Sequence, residues 1–217
     1  MTRIDNLPQH NAQYGAQAYW DERYSNEAEN ASFDWFQTID LVPLVQRFVP
    51  DTSARICMLG CGNSLLSANL YDKGYHSIVN LDYSPILIEK MKNVNSTRRP
   101  EMIWQTADVR ALPFDDESFD VCIDKGTMDA MMTSIRNPWN PPDQVIKDCN
   151  DEIDQVVRVL RKPNGVFLYL TWGQPHFRKQ YLLREGWQLE TVELGDGFCY
   201  YLYVLRRKDR DDKPKAP

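Results

Sequence analysis

The chain has no run approaching eighteen apolar residues, so no membrane-crossing helix is expected. The first fifteen residues, MTRIDNLPQHNAQYG, hold no apolar stretch, and no secretory leader is expected there. Cysteine is sparse and scattered, at Cys57, Cys61, Cys122, Cys149 and Cys199, with no Cys-x-x-Cys pair. Those spacings do not make a zinc site, so no metal is expected. The thiols read as reduced, mostly buried groups of a cytoplasmic protein. Basic residues are in deficit: 25 Lys and Arg against 31 Asp and Glu give a formal charge of −6. A general nucleic-acid binder presents a basic surface, so direct nucleic-acid binding is not expected. A small-molecule enzyme, or one that meets a basic protein, fits the balance. No internal repeat is present.

What is there is an ordinary globular composition, 42% apolar and 26% charged over 217 residues, enough for one domain with a real core. Helical composition covers 17–24 and 39–48, the second ending before Pro50. Then elements alternate. Strands are expected at 55–59, 77–81, 102–105, 119–123 and 166–170, with helices at 64–72, from Ser84-Pro85 to about 92, and at 143–160. Asn140-Pro141-Pro142-Asp143 reads as a loop ending in a helix-capping Asp143. Two further strands, 188–194 and 198–205, flank Gly195-Asp196-Gly197 and pair as an antiparallel hairpin. The expected fold is therefore α/β: one domain with a seven-stranded, Rossmann-like sheet, mostly parallel, helices on both faces and a C-terminal antiparallel hairpin.

Ligands of such sheets sit beyond the carboxyl ends of the strands. At those ends stand Gly60-Cys61-Gly62, then Asp82, then Asp108-Val109, then Asp124-Lys125-Gly126. A carboxylate at Asp82 suits two ribose hydroxyls, and Asp108-Val109 suits an adenine edge, through a carboxylate and a backbone N–H. The third glycine of the dinucleotide fingerprint is missing, because Leu65 occupies its place. A nucleoside ligand without a pyrophosphate needs only the first two.

Gly60-Cys61-Gly62, Asp82, Asp108 and Leu112-Pro113-Phe114-Asp115, with Ser118-Phe119-Asp120, resemble the class I S-adenosylmethionine-dependent methyltransferases. Further blocks resemble the subgroup that methylates lysines of translation elongation factor 1-alpha: Tyr19-Trp20-Asp21-Glu22-Arg23-Tyr24, Phe33-Asp34-Trp35-Phe36, Lys125-Gly126-Thr127-Met128-Asp129-Ala130 and Pro175-His176-Phe177-Arg178. The resemblance implies S-adenosyl-L-methionine as cofactor, with S-adenosyl-L-homocysteine as product. It implies a site lined by Trp20, Tyr24, Trp35, Gly60, Gly62, Asp82, Tyr83, Asp108, Val109 and Lys125. It also implies a protein-lysine methyltransferase, expected as a monomer, with elongation factor 1-alpha as partner. A small-molecule methyltransferase and a non-catalytic cofactor-binding scaffold are the alternatives. Residues 1–50 are then a helical cap that contributes to the cofactor site, 51–206 the core, and 207–217 a disordered charged tail.

Two expectations are less conventional. Most class I enzymes carry an acid two residues before the first glycine, where this chain has Met58, and Lys125 is expected to offset part of that loss by meeting the cofactor carboxylate. No general base stands out; Asp124, Asp129 and His176 are the candidates, each with a structural role as the alternative.

Overall fold

A computed structural model of the chain describes residues 7–195 and 199–208. A 3₁₀ turn at Asn11–Gly15 precedes α1 (Gln17–Asn26) and α2 (Val42–Phe48). The core then runs β1 (Ile56–Leu59), α3 (Leu66–Tyr71), β2 (Ile78–Asp82), α4 (Pro85–Asn95), β3 (Ile103–Thr106), β4 (Val121–Lys125) and α5 (Thr127–Met131). A second 3₁₀ turn, Met132–Ser134, leads to α6 (Asp143–Val159), β5 (Val166–Thr171), α7 (Pro175–Leu182), β6 (Trp187–Leu194) and β7 (Tyr200–Arg207).

The strands form one seven-stranded sheet in the order β3-β2-β1-β4-β5-β7-β6. All neighbouring pairs from β3 to β5 are parallel, and β7 is antiparallel to both β5 and β6. The expected hairpin is present, with the refinement that β7 is inserted between β5 and β6. The chain order reverses direction between β1 and β4, which opens a crevice at their carboxyl ends.

Alternation along each strand feeds two cores. Ile56 and Met58 of β1, with Leu168 and Leu170 of β5, join one cluster that includes residues of α2, α3 and α4. Cys57, Leu59, Phe167 and Tyr169 face the other, which includes Val145, Cys149, Ile153 and Val156 of α6. Cys57, Cys61, Cys122 and Cys149 are buried and take part in no disulfide. No described helix is long and apolar enough to cross a membrane.

Several boundaries differ from expectation: α2 starts at Val42 and not at 39, β7 spans Tyr200–Arg207 and not 198–205, and three further differences have identifiable reasons. The fourth strand starts at Val121, not 119, because Phe119 pairs as an isolated bridge with Leu160 and the Asp120 carboxylate accepts from the Arg55 N–H at 2.8 Å. The cap of α6 is Pro142, in extended conformation, and Asp143 is the first helical residue, where its charge complements the helix dipole. The helix expected over 64–72 begins only at Leu66, because the Ser64 hydroxyl accepts from the Leu66 N–H at 3.1 Å. Ser84 caps α4 as expected, accepting from the Leu87 N–H at 3.3 Å. Part of the hairpin turn, residues 196–198, and the tail from residue 209 lie outside the described residues.

Candidate functional site

A cavity of about 440 Å³ opens at the carboxyl ends of β1, β2, β3 and β4. All ten residues expected to hold the cofactor line it: Trp20, Tyr24, Trp35, Gly60, Gly62, Asp82, Tyr83, Asp108, Val109 and Lys125.

The turn after β1 forms the floor. Gly60 and Gly62 have φ of +59° and +52°, conformations that L side chains rarely adopt. A Cβ on Gly60 would stand 2.2 Å from Thr127 Oγ1, and one on Gly62 would stand 3.4 Å from the Tyr24 hydroxyl. Thr127 at the start of α5 fastens this turn, donating its hydroxyl to Leu59 O at 2.8 Å. The bare backbone faces Tyr24 across a gap that a side chain would fill.

Asp82, the last residue of β2, is 5% exposed and accepts from Gly62 N–H at 3.1 Å and Ser84 N–H at 3.0 Å. Burial raises its carboxyl to about 6, against the lowering effect of those backbone donors. Each oxygen thus has one backbone donor and retains acceptor capacity for a ligand hydroxyl. Asp108, beyond β3, is held by Arg110 through Nε at 2.9 Å and Nη2 at 2.7 Å, and Arg110 Nη1 reaches Asp148 of α6 at 3.0 Å. The Arg110 guanidinium accordingly keeps the Asp108 carboxyl below its usual range.

The N-terminal segment closes the opposite wall. Trp20 and Tyr24, one helical turn apart, stack with ring centres 5.6 Å apart. Trp20 Nε1 donates to Tyr14 O at 2.7 Å, and Gln17 Nε2 donates to Tyr83 O at 2.8 Å. On the outer side, Lys90 of α4 donates to Tyr24 O at 3.0 Å and Glu27 O at 2.7 Å. Burial, then the Asp82 charge, pushes the Tyr24 phenol well up, so it remains a neutral wall.

The three catalytic candidates are placed away from the cavity lining. Asp124 lies within β4, and strand alternation turns it to the face opposite Lys125. Its carboxylate accepts from Thr127 N–H at 2.7 Å and Met128 N–H at 2.9 Å, capping α5. Burial raises it to about 6, and burial together with the Asp124 charge pushes the neighbouring Glu152 well up. Asp129 Oδ1 accepts from Thr171 Oγ1 and Arg178 Nη2, both at 2.6 Å, and from the Tyr169 hydroxyl at 3.2 Å. His176 stacks on Trp139, which is 78% exposed, with ring centres 5.8 Å apart. Asp124 and Asp129 are engaged as cap and counter-ion, and His176 belongs to a surface aromatic group.

Sequence reasoning missed other parts of the wall: Tyr14 and Gly15 before α1, Met131 and Thr133 after β4, and Gln144 and Val145 of α6. The helix period of α6 marks its buried face but carries no sign that its first turn reaches the cavity. The Phe33-Asp34-Trp35-Phe36 block was the available signal for the crossing between α1 and α2.

Two left-handed glycines, a buried carboxylate one strand over and Asp108-Val109 beyond the third strand suit an adenosyl ligand with no phosphate. Residues 56–138 match the family model described as "Methyltransferase domain". Fold, site and match together define an S-adenosyl-L-methionine-dependent methyltransferase. Mouse "EEF1A lysine methyltransferase 4" is 35% identical over 93% of this chain and 79% of its own length. The chain belongs to that protein's family. It also matches human "eEF1A lysine and N-terminal methyltransferase", 32% identical over 88% of this chain but only 26% of that protein. Among solved structures, the PH0226 protein from Pyrococcus horikoshii OT3 shares the fold, with a TM-score of 0.64 at 20% identity, covering 86% of this chain and 99% of that one.

Proposed function

We propose that this chain methylates a lysine of translation elongation factor 1-alpha, as a cytoplasmic enzyme that meets its substrate directly. The observation that carries the reading is the near full-length similarity to a relative named for that activity, over a chain whose cavity residues fit the cofactor.

S-adenosyl-L-methionine supplies a methyl group on a sulfonium when bound. Gly60 and Gly62 present bare backbone to its methionyl part, Asp82 takes the ribose hydroxyls, and Asp108 and Val109 take the adenine edge. Trp20, Tyr24 and Trp35 exclude water and offer ring faces to a cation. Holding donor and acceptor in line lowers the barrier by several kcal/mol, up to about 10.

A lysine acceptor must lose a proton, with an unperturbed pKa of about 10.4. Among the described residues, none that lines the cavity is a histidine. Desolvation against the aromatic wall favours the neutral amine, and the proton passes to water. Asp124 and Asp129 keep their structural roles in this account, and His176 acts outside the chemical step.

The test is labelling. Purified protein with radiolabelled cofactor and elongation factor 1-alpha marks that factor at a lysine located by mass spectrometry. Labelling of a metabolite pool with no protein labelled replaces this reading by a small-molecule methyltransferase. Tight cofactor binding with no acceptor replaces it by a binding scaffold.

A further inference from the structure

The amino-acid end of the cofactor carries one ammonium and one carboxylate, and the wall must answer both. Met58, on β1 below the turn, is 3% exposed within the apolar core and offers nothing. Among the cavity's charged residues, Asp82, Asp108, Arg110 and Asp148 belong to the β2, β3 and α6 side, and Arg110 is already paired with two of them. Lys125, at the end of β4, is the charge on the other side.

Lys125 is not alone. Its side chain is 8% exposed, and its ammonium forms an ion pair with Asp34. Both Asp34 oxygens also lie 3.0 Å from the Ser64 hydroxyl, beside the glycine turn. Asp34 sits in the crossing between α1 and α2, and its neighbours Phe33 and Trp35 both line the cavity. That crossing is tied to the turn a second time, because Asn63 Nδ2 donates to Glu27 Oε2 at 2.8 Å and to Ala31 O at 3.1 Å. So one carboxylate holds two cavity-lining groups, Lys125 and Ser64, from behind.

We propose that Asp34 is a positioning residue for the amino-acid end of the cofactor, holding Lys125 and Ser64 so that the cavity selects ligands carrying an α-amino acid group. An ammonium in so closed a place is costly without a counter-charge, and Asp34 supplies it from a different segment than β1. A lysine has three donors, and the Asp34 contact leaves others for a ligand carboxylate. The pair is neutral overall, which suits a zwitterionic end group. The inference rests on the cofactor assignment of the cavity and is independent of which acceptor is methylated.

The experiment compares two ligands by calorimetry, with no acceptor present. S-adenosyl-L-homocysteine carries the amino-acid end; 5′-methylthioadenosine lacks it. Asp34→Asn is expected to weaken S-adenosyl-L-homocysteine about tenfold or more while 5′-methylthioadenosine changes less than about twofold. Lys125→Met gives the same split and serves if the Asp34 variant does not fold. Combining the two is expected to cost little beyond the worse single change, since they act as one unit. Parallel weakening of both ligands makes Asp34 a general clamp and overturns the proposal, as does no weakening of either. Failure of the unaltered protein to bind both ligands overturns the cavity assignment and this inference with it.

Discussion

Gly62 donates its backbone N–H to the Asp82 carboxylate at 3.1 Å, joining the turn after β1 to the end of β2. This bond makes the glycine turn and the buried acid at the end of β2 one object. On the proposed reading, in which Asp82 takes ligand hydroxyls, the carboxylate is thereby fixed in direction before the ligand arrives, which lowers the ordering cost of binding.

Asp82→Asn keeps the shape and removes the charge. Cofactor-induced thermal stabilisation is expected to fall by most of its value, because the ribose loses a charged acceptor. Asp108→Asn is expected to lose less, since Arg110 already occupies much of that carboxylate. Differential scanning fluorimetry with saturating cofactor distinguishes the two. Equal shifts in both variants contradict the assignment.

Affinity for the cofactor is expected to fall as pH drops from about 7.5 to 5.5. Burial raises free Asp82 to about 6, and ribose hydroxyls that donate to it favour the ionised form. Below that value binding must release a proton, which calorimetry in buffers of different ionisation enthalpy detects. A flat profile argues against a carboxylate at the ribose.

The same raised values act on stability with the opposite preference. The folded carboxyls of Asp82 and Asp124 stand at about 6, above the unfolded value of ~3.9. The folded state binds more protons between those limits, so their contribution is complete below the unfolded value and lost as pH rises through 6. Ligand-free protein is expected to resist urea better at pH 5 than at pH 7, and Asp82→Asn to flatten that difference.

Gly60→Ala is expected to destabilise the protein by about 2–4 kcal/mol, from left-handed backbone strain and overlap with Thr127. Denaturant unfolding measures it. Adding Thr127→Ala is expected to restore part of the loss, because it removes both Oγ1, 2.2 Å from the added carbon, and Cγ2, 2.7 Å from it.

Arg178→Ala leaves Asp129, whose side chain is 1% exposed, without its cation and is expected to cost about 3–5 kcal/mol. The double change Asp129→Asn with Arg178→Met is expected to cost less than the single one, because no buried charge is left bare. A double change as damaging as the single would show that packing, not charge, dominates there.

Local pattern was enough for the order of the strands and of most helices, though not for α5 (Thr127–Met131). The apolar runs 55–59 and 166–170, the Ser84-Pro85 cap and the glycines after β1 each carry their conformation in residue type and spacing. Strand ends were legible to within about two residues, and their register with Gly60, Asp82 and Asp108 located the cavity. Which face Asp124 takes was not legible, because the end of β4 falls two residues later than the apolar run suggests.

By itself, then, the sequence determined an α/β sheet with a ligand crevice at its carboxyl edge, since periodicity and turn chemistry act over a few residues. Tertiary structure alone decided that Asp124 and Asp129 serve as cap and counter-ion and that Asp34 meets Lys125 from a separate crossing. Such partners lie tens of residues apart, and only the closing of the sheet and its N-terminal cap brings their charges within reach of one another.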